Sequence, residues 1–523
     1  MRRMSKEKLA ELASRRASTL DEGRAEAVER RHRKGFLTAR ENLEHLCDPG
    51  SFREYGQLAV AAQRRRRSIE ELRAETPADG VITGLATING DLFGTERSHA
   101  AVIVNDYTVL AGTQGYFHHR KIDRLLEVAR RRRLPVVMFA EGGGGRPGDV
   151  DVLIGNSGLD VPTFAAWASL SGVAPRIAVA HGYCFAGNAA LFGCADITIA
   201  TEQASIGMAG PAMIEGGGLG SFKPKEIGPA AVQAKNGVID VLVEDEAEAA
   251  RLARKIVGFF QGRSPSWRAA DQEALRDALP ADRRFSYKAR PLIERLVDED
   301  SFVELRRGYG GAVITGLARF EGRPVGLLAS DTQVIGGALD AAASEKAARF
   351  LQLLDAFDLP VVSLCDTPGF MVGPQSEEQA AVRRMSRLFV AGAAVQVPWI
   401  CVVLRKAYGL GVMAMAGGSL HRPDCTIAWP QGEFGGMGLE GAVRLGFKRE
   451  LAAAPEEERE ALFRQLVEKL YEQGKATEAA SYLEIDAVID PADTRGVIVQ
   501  ALATAEQHAE PRLPAQRRFV DPW

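Results

Sequence analysis

The sequence predicts an α/β protein made of two tandem domains that arose by internal duplication. Three observations lead there. At 523 residues the chain exceeds the size that one hydrophobic core usually supports. Segments of its first half return in the same order in its second half. Both halves alternate short β-branched runs with helix-length amphipathic runs.

The repeats can be followed along the chain. Asp48-x-x-Ser51-Phe52-x-Glu54 returns as Asp298-x-x-Ser301-Phe302-x-Glu304, and the VITGLA run of 81–86 returns letter for letter at 313–318. Leu134-Pro135-Val136-Val137 returns at 359–362. The strand-like 175–180 is matched by 398–403, each followed by a glycine-containing turn, and Asp196-Ile197-Thr198-Ile199-Ala200 by Asp424-Cys425-Thr426-Ile427-Ala428. KIDRLLEVARRRR leads into LPVVMFA as KAARFLQLLDAFD leads into LPVVSLC. Such alternation implies crossover connections and mostly parallel strands buried on both faces. The proline- and charge-rich stretch 261–285 reads as a linker, which sets the domains at 1–265 and 280–523.

Composition removes several function classes. A formal net charge of -3 argues against nucleic acid as a partner. The arginine runs 64–67 and 130–133 read as solvated helix faces, with contacts to phosphates or to a carrier domain as the other reading. Six scattered cysteines, mostly in apolar runs, point to reduced thiols and a cytoplasmic setting. There is no Cys-x-x-Cys and no i, i+4 histidine pair, so no metal site is expected. No apolar run approaches the ~18 residues that span a bilayer, and the charged opening does not read as a leader, so no membrane insertion is expected.

The chemistry centres on two turns. His181-Gly182-Tyr183-Cys184-Phe185-Ala186-Gly187-Asn188 follows an apolar strand and opens a helix-compatible run. Tyr408-Gly409-Leu410-Gly411 does the same in the second half. Amides at such a turn point unpaired N–H groups at whatever docks there, which is the construction of an oxyanion hole. Two of them suit a reaction in which two carbonyl oxygens bear developing charge. The alternative is that these glycines only permit tight strand-to-helix packing. Gly143-x-Gly145-x-x-Gly148 formally fits a dinucleotide fingerprint, but DVDVLIGNSG after it does not read as the required amphipathic helix. No Gly-x-Ser-x-Gly elbow and no Walker lysine motif is present.

Together these residues resemble the carboxyltransferase (β) subunits of acyl-CoA carboxylases, over nearly the whole chain. The resemblance runs from Lys34-Gly35-Phe36-Leu37-Thr38-Ala39-Arg40-Glu41 through Asp48-Pro49-Gly50-Ser51-Phe52. It continues in Glu321-Gly322-Arg323-Pro324-Val325-Gly326, Lys346-Ala347-Ala348-Arg349-Phe350, Asp366-Thr367-Pro368-Gly369-Phe370 and Arg405-Lys406-Ala407-Tyr408-Gly409. It implies two crotonase-like domains, the first for acyl-CoA and the second for carboxybiotin carried by a partner subunit. The amides of Ala186 and Gly187 would then hold the thioester enolate oxygen, and those of Leu410 and Gly411 the biotin ureido oxygen. In that scheme the biotin anion takes the α-proton, and no side chain need act as general base. The surrounding substrate-binding residues would be Arg146, Cys184, Phe185, Gly210, Pro211, Tyr408, Gly409, Met413, Gly435 and Gly436.

Departures from the family pattern bear on substrate. Gly142-Gly143-Gly144-Gly145-Arg146 stands for the usual Ser-Gly-Gly-Ala-Arg, Ala186 for a glycine, and Met413 for an acidic residue expected to line the acyl pocket, with plain helix packing as the alternative for Met413. The chain shows no Met-Lys-Met biotin attachment site, no ATP-grasp pattern and no four-cysteine zinc ribbon, so a biotin carboxylase and a biotin carrier are expected partners, and the resemblance implies a hexamer built as a trimer of dimers. Three readings of function stand side by side: carboxylase subunit, the decarboxylating relative, and a silent scaffold. A crotonase-type hydratase finds no support in Glu141 or Glu215 alone.

Overall fold

The computed structural model describes residues 6–151, 159–507 and 518–523. The chain divides into two compact units between Gly262 and Arg263. In the first, β1 (Arg53–Tyr55), β2 (Val81–Thr87), β3 (His99–Asn105), β4 (Val136–Phe139), β5 (Arg176–Ala180), β7 (Ile197–Thr201) and β9 (Val241–Val243) form one sheet in that order. β1 to β3 pair antiparallel and the others parallel. β6 (Tyr183–Phe185) and β8 (Ser205–Gly207) make a separate parallel pair just beyond β5 and β7.

The second unit repeats the plan. Its sheet order is β10 (Val303–Leu305), β11 (Val313–Phe320), β12 (Arg323–Ser330), β13 (Val361–Thr367), β14 (Trp399–Tyr408), β15 (Cys425–Ala428) and β17 (Ala487–Val488). β16 (Glu433–Gly435) pairs with the far end of the long β14. The expected crossover helices are present, Tyr116–Arg132 leading to β4 and Ala341–Ala356 leading to β13. Ile122, Leu125, Leu126 and Ala129 of the first fall at i, i+3, i+4 and i+7, and all four are buried against β4 and its neighbours.

The polar framework is duplicated as well as the apolar one. Asp48 accepts from the amides of Asn89 and Gly90 (3.1 and 2.8 Å) and pairs with Arg254; Asp298 accepts from Glu321 and Gly322 (2.9 and 2.7 Å) and pairs with Arg495. The buried ammonium of Lys121 donates to the Val81 carbonyl, and that of Lys346 to Val313. Asp196 and Asp424 each accept from the first amide of a central strand, at Arg176 and Trp399, both at 2.8 Å. The repeated VITGLA run also has a steric reason. A Cβ on Gly84 would lie 2.6 Å from the Phe52 ring, and one on Gly316 would lie 2.5 Å from the Phe302 ring. The repeated glycine and phenylalanine of each half are therefore one packing unit.

Two expectations are corrected here. The stretch 261–285 is not a free linker: Leu275 and Leu279 are buried in the second unit's core, and the Ser264 amide donates to Gly322. Arg64 to Arg67 form a turn ahead of the Ile69–Glu75 helix rather than a helix face, because Asp151 accepts from the amides of Arg64 and Arg65. Arg130 to Arg133 do end a helix and are exposed. The residues after Gly148 hold no helix as far as Asp151, and most of the segment that would complete the dinucleotide motif lies outside the described residues.

Candidate active site

In the first unit the chain leaves β5, passes through β6 and reaches Ala186 in an unusual conformation (φ 51°, ψ -119°) before the Gly187–Gly193 helix. That backbone suits glycine, so the alanine is strained. Its N–H donates to the Gly207 carbonyl at 3.0 Å and is therefore spent. The amides of Gly187 and Asn188 have no acceptor among the described residues. The pair free to meet an oxyanion is thus Gly187 and Asn188, one residue beyond the expected Ala186 and Gly187.

The loop 142–148 lies over this turn. Gly142 N–H donates to Tyr183 (2.7 Å), Phe185 N–H to Gly142 (2.9 Å), and Gly144 N–H to the Asn188 side chain (3.0 Å). A Cβ on Gly144 would fall 2.6 Å from the Ala186 methyl, so glycine is needed where the two segments touch. The Arg146 side chain is 3% exposed and is consumed inside the unit, paired with Asp79 and donating to the Thr113 carbonyl at 2.8 Å. It braces the loop instead of facing a ligand. Cys184 is fully buried in the core, and Phe185, also buried, stacks on Tyr183 with ring centroids 5.9 Å apart. Gly210 abuts the Phe185 ring, and Pro211 opens an exposed helix, Pro211–Gly216.

Sequence reading missed a cavity of about 510 Å³ beside the same turn. Arg30, Lys34, Phe36, Tyr107, Glu141, Gly182, Tyr183 and Lys225 are among its lining residues. Burial pushes the Glu141 carboxyl up, but His181 (3.0 Å) and Arg31 (2.6 Å) outweigh it and hold it below its ordinary value. The one available signal was an acidic residue directly after the apolar run VVMFA, at the end of a strand where α/β folds place their ligands.

In the second unit β14 runs straight into the Gly409–Met415 helix, with Gly409 at φ 54°. The registers Phe185↔Gly207 and Tyr408↔Gly435 make Ala186 and Gly409 equivalent, and hence Gly187–Asn188 equivalent to Leu410–Gly411. The amides of Leu410 and Gly411 have no acceptor among the described residues, as expected. Gly411 packs against Gly369, where a Cβ would come within 2.6 Å, and Gly409 against the Gly436 carbonyl. Asp366 ties the two family-like motifs together, accepting from Arg405 Nε (3.0 Å) and from the Lys406 amide (3.1 Å). Leu410 and Met413 are 59% and 37% exposed, so neither is buried in the core. Tyr408 is buried instead, its phenol pushed up by burial and by its neighbour Glu433. Gly435 lies along the Tyr408 ring and Gly436 is unobstructed.

Each unit therefore offers two adjacent unengaged main-chain donors where a strand gives way to a helix. Among the described residues no group of three or more histidine, cysteine or acidic side chains could hold a metal ion, and no helix is long and apolar enough to cross a membrane. Comparison with known proteins agrees with this architecture. The Carboxyl transferase domain family matches residues 30–520, and the chain belongs to that family. It is 35% identical to the methylmalonyl-CoA carboxyltransferase 12S subunit of Propionibacterium freudenreichii subsp. shermanii, over 95% of this chain and 93% of that protein. It is 31% identical to the methylmalonyl-CoA decarboxylase subunit alpha of Veillonella parvula, over 97% of each. Among solved structures it matches a single-chain, multi-domain long-chain acyl-CoA carboxylase with TM-score 0.91 and 55% identity, over 95% of this chain and 49% of that one, so it spans about half that enzyme's length. A crystal structure of transcarboxylase 12S, a hexamer with methylmalonyl-CoA bound, matches with TM-score 0.85 and 32% identity over 99% of each chain. The fold is thus two crotonase-like domains, and the protein is a carboxyltransferase of the biotin-dependent acyl-CoA carboxylase and transcarboxylase family.

Proposed function

We propose that this chain is the carboxyltransferase component of a biotin-dependent acyl-CoA carboxylase that accepts long acyl chains. The observation that carries the mechanism is the repeated pair of unengaged amides, Gly187–Asn188 in one unit and Leu410–Gly411 in the other. The first pair would hold the thioester oxygen as the enolate forms, and the second the ureido oxygen of biotin. Both are fixed before any substrate arrives, so they add no reorganisation when charge develops. When bound, carboxybiotin supplies the CO2 and the base. The chain's own residues position the two oxygens, and the departure at Met413 puts an apolar, flexible side chain where the family pattern has an acidic one.

The cavity rimmed by Arg30, Lys34 and Lys225 has the charge and the size for the phosphorylated end of a CoA thioester, with Phe36 and Tyr107 to flank a base. Long acyl chains are favoured by the 55% identity to the long-chain enzyme. A biotin carboxylase and a biotin carrier are the partners this reading requires, and a hexamer is the assembly it expects. Acyl-CoA decarboxylation is the second reading, favoured by the Veillonella relative.

The test mixes the purified chain with a biotin carboxylase and carrier and measures bicarbonate incorporation into short, branched and long acyl-CoAs. Leu410→Pro removes one donor in the first turn of the Gly409–Met415 helix, where no intrahelical bond is lost, and is expected to lower turnover about 10²-fold. Gly187→Val, which crowds the other turn, acts in the same direction, and Met413→Asp shifts preference toward shorter acyl groups. Wild-type turnover in Leu410→Pro would defeat the mechanism.

A further inference from the structure

We propose that Gln114 supplies a side-chain N–H to the thioester oxygen and is a catalytic residue of the first unit, an inference that rests on the carboxyltransferase reading above. Gln114 is 4% exposed, and its Nε2 has no hydrogen-bond acceptor among the described residues. A buried amide donor left without a partner is disfavoured and calls for a reason. Its location gives one. The Gln114 carboxamide packs on the Cα of Gly187, close enough that a Cβ there would lie 2.2 Å from its Oε1. The carboxamide that carries the unpartnered Nε2 therefore borders the turn, with its oxygen on the Gly187 side.

The segment carrying it is rigid. Gln114 N–H donates to Gly144 (2.7 Å) and its carbonyl accepts from Arg146 (2.9 Å), while the Arg146 side chain grips Asp79 and Thr113 and Asp149 accepts from the Tyr116 amide (2.8 Å). A side chain carried on so braced a segment stands beside the turn before substrate binds, and a group already in place is what stabilises charge that appears only in the transition state.

The molecule contains its own comparison. Leu339 donates its N–H to Gly369 and accepts from Met371, both at 2.9 Å, which is the register of Gln114 with Gly144 and Arg146. The same slot in the second unit is thus filled by a fully buried, apolar leucine. The fold does not need an amide there. The half assigned to the thioester carries one, and the half assigned to the biotin urea does not.

The experiment compares wild type with Gln114→Leu, the side chain already accepted in the sister position, and with Gln114→Met, which keeps the length. Both are assayed for kcat and KM in the reconstituted carboxylation reaction and for melting temperature. The expected result is kcat lower by about 10²-fold in both, with KM for acyl-CoA changed less than about threefold and Tm unchanged or raised. A kcat within about threefold of wild type in either variant overturns the assignment. So does a loss of kcat that follows a fall in Tm in both, since that is what a purely structural glutamine would give. If wild type itself transfers no carboxyl group to any acyl-CoA, the carboxyltransferase reading fails first, whatever the variants do.

Discussion

Ala186 holds a conformation that glycine adopts freely and alanine does not, and its methyl faces Gly144 at the tightest point of the turn. Ala186→Gly is therefore expected to stabilise the protein by about 1 kcal/mol, because relief of the strained backbone outweighs glycine's added entropy in the unfolded chain. The check is a urea titration in which the midpoint rises and the slope stays the same. The sequence pattern puts the donor pair at Ala186 and Gly187, whereas the Ala186 amide is engaged and the unengaged pair is Gly187 and Asn188. Which amide is spent depends on the carbonyl of Gly207, twenty-one positions on and brought alongside only by β6 and β8. Arg146 was legible as an important arginine, yet its partners Asp79 and Thr113 turn it inward. Gln114 gave no signal of its own, since a polar residue in AGTQG reads as ordinary loop until the bridge to Gly145 sets it against its counterpart Leu339.

Helices and strands were more legible than the ties between them. The 3.6-residue period of Tyr116–Arg132 and the β-branched run after it were enough to predict the crossover. Nothing in the pattern revealed that Lys121, midway along that helix, points inward and donates to the carbonyls of Ala78 and Val81, docking the helix onto β2. Burial pushes its ammonium down from 10.5 to about 8. The folded state thus releases this proton before the unfolded state does, and the lysine's contribution to stability rises as pH climbs from about 8 to 10.5. The size is of order 3 kcal/mol at most for such a shift. Lys121→Met should lose that rise, and the difference between variant and wild type in denaturant titrations across the window isolates it from the tyrosines and cysteines that titrate nearby.

For the whole chain, duplication was the strongest message of the sequence, because ordered identities survive where each half must solve the same packing problem. The pairing of Phe52 with Gly84 and of Phe302 with Gly316 shows why those particular letters recur. The boundary was harder to read. Proline and charge density marked 261–285 as a connector, but the two leucines inside it are core residues of the second unit. A fragment spanning 263–523 is accordingly expected to unfold cooperatively and to be more stable than one spanning 285–523 by about 4 kcal/mol, the loss for two buried leucines at ~2 kcal/mol each. Urea midpoints of the two fragments check this, and equal midpoints would return the stretch to linker status.

The aspartates at 48 and 298 perform one task twice, each gripping two amides and an arginine. Any substitution made at one can be made at the other in the same solution, with the untouched half as its yardstick. What differs between the paired outcomes then measures how far each copy has drifted from their common ancestor, a comparison that ordinarily needs two separate proteins.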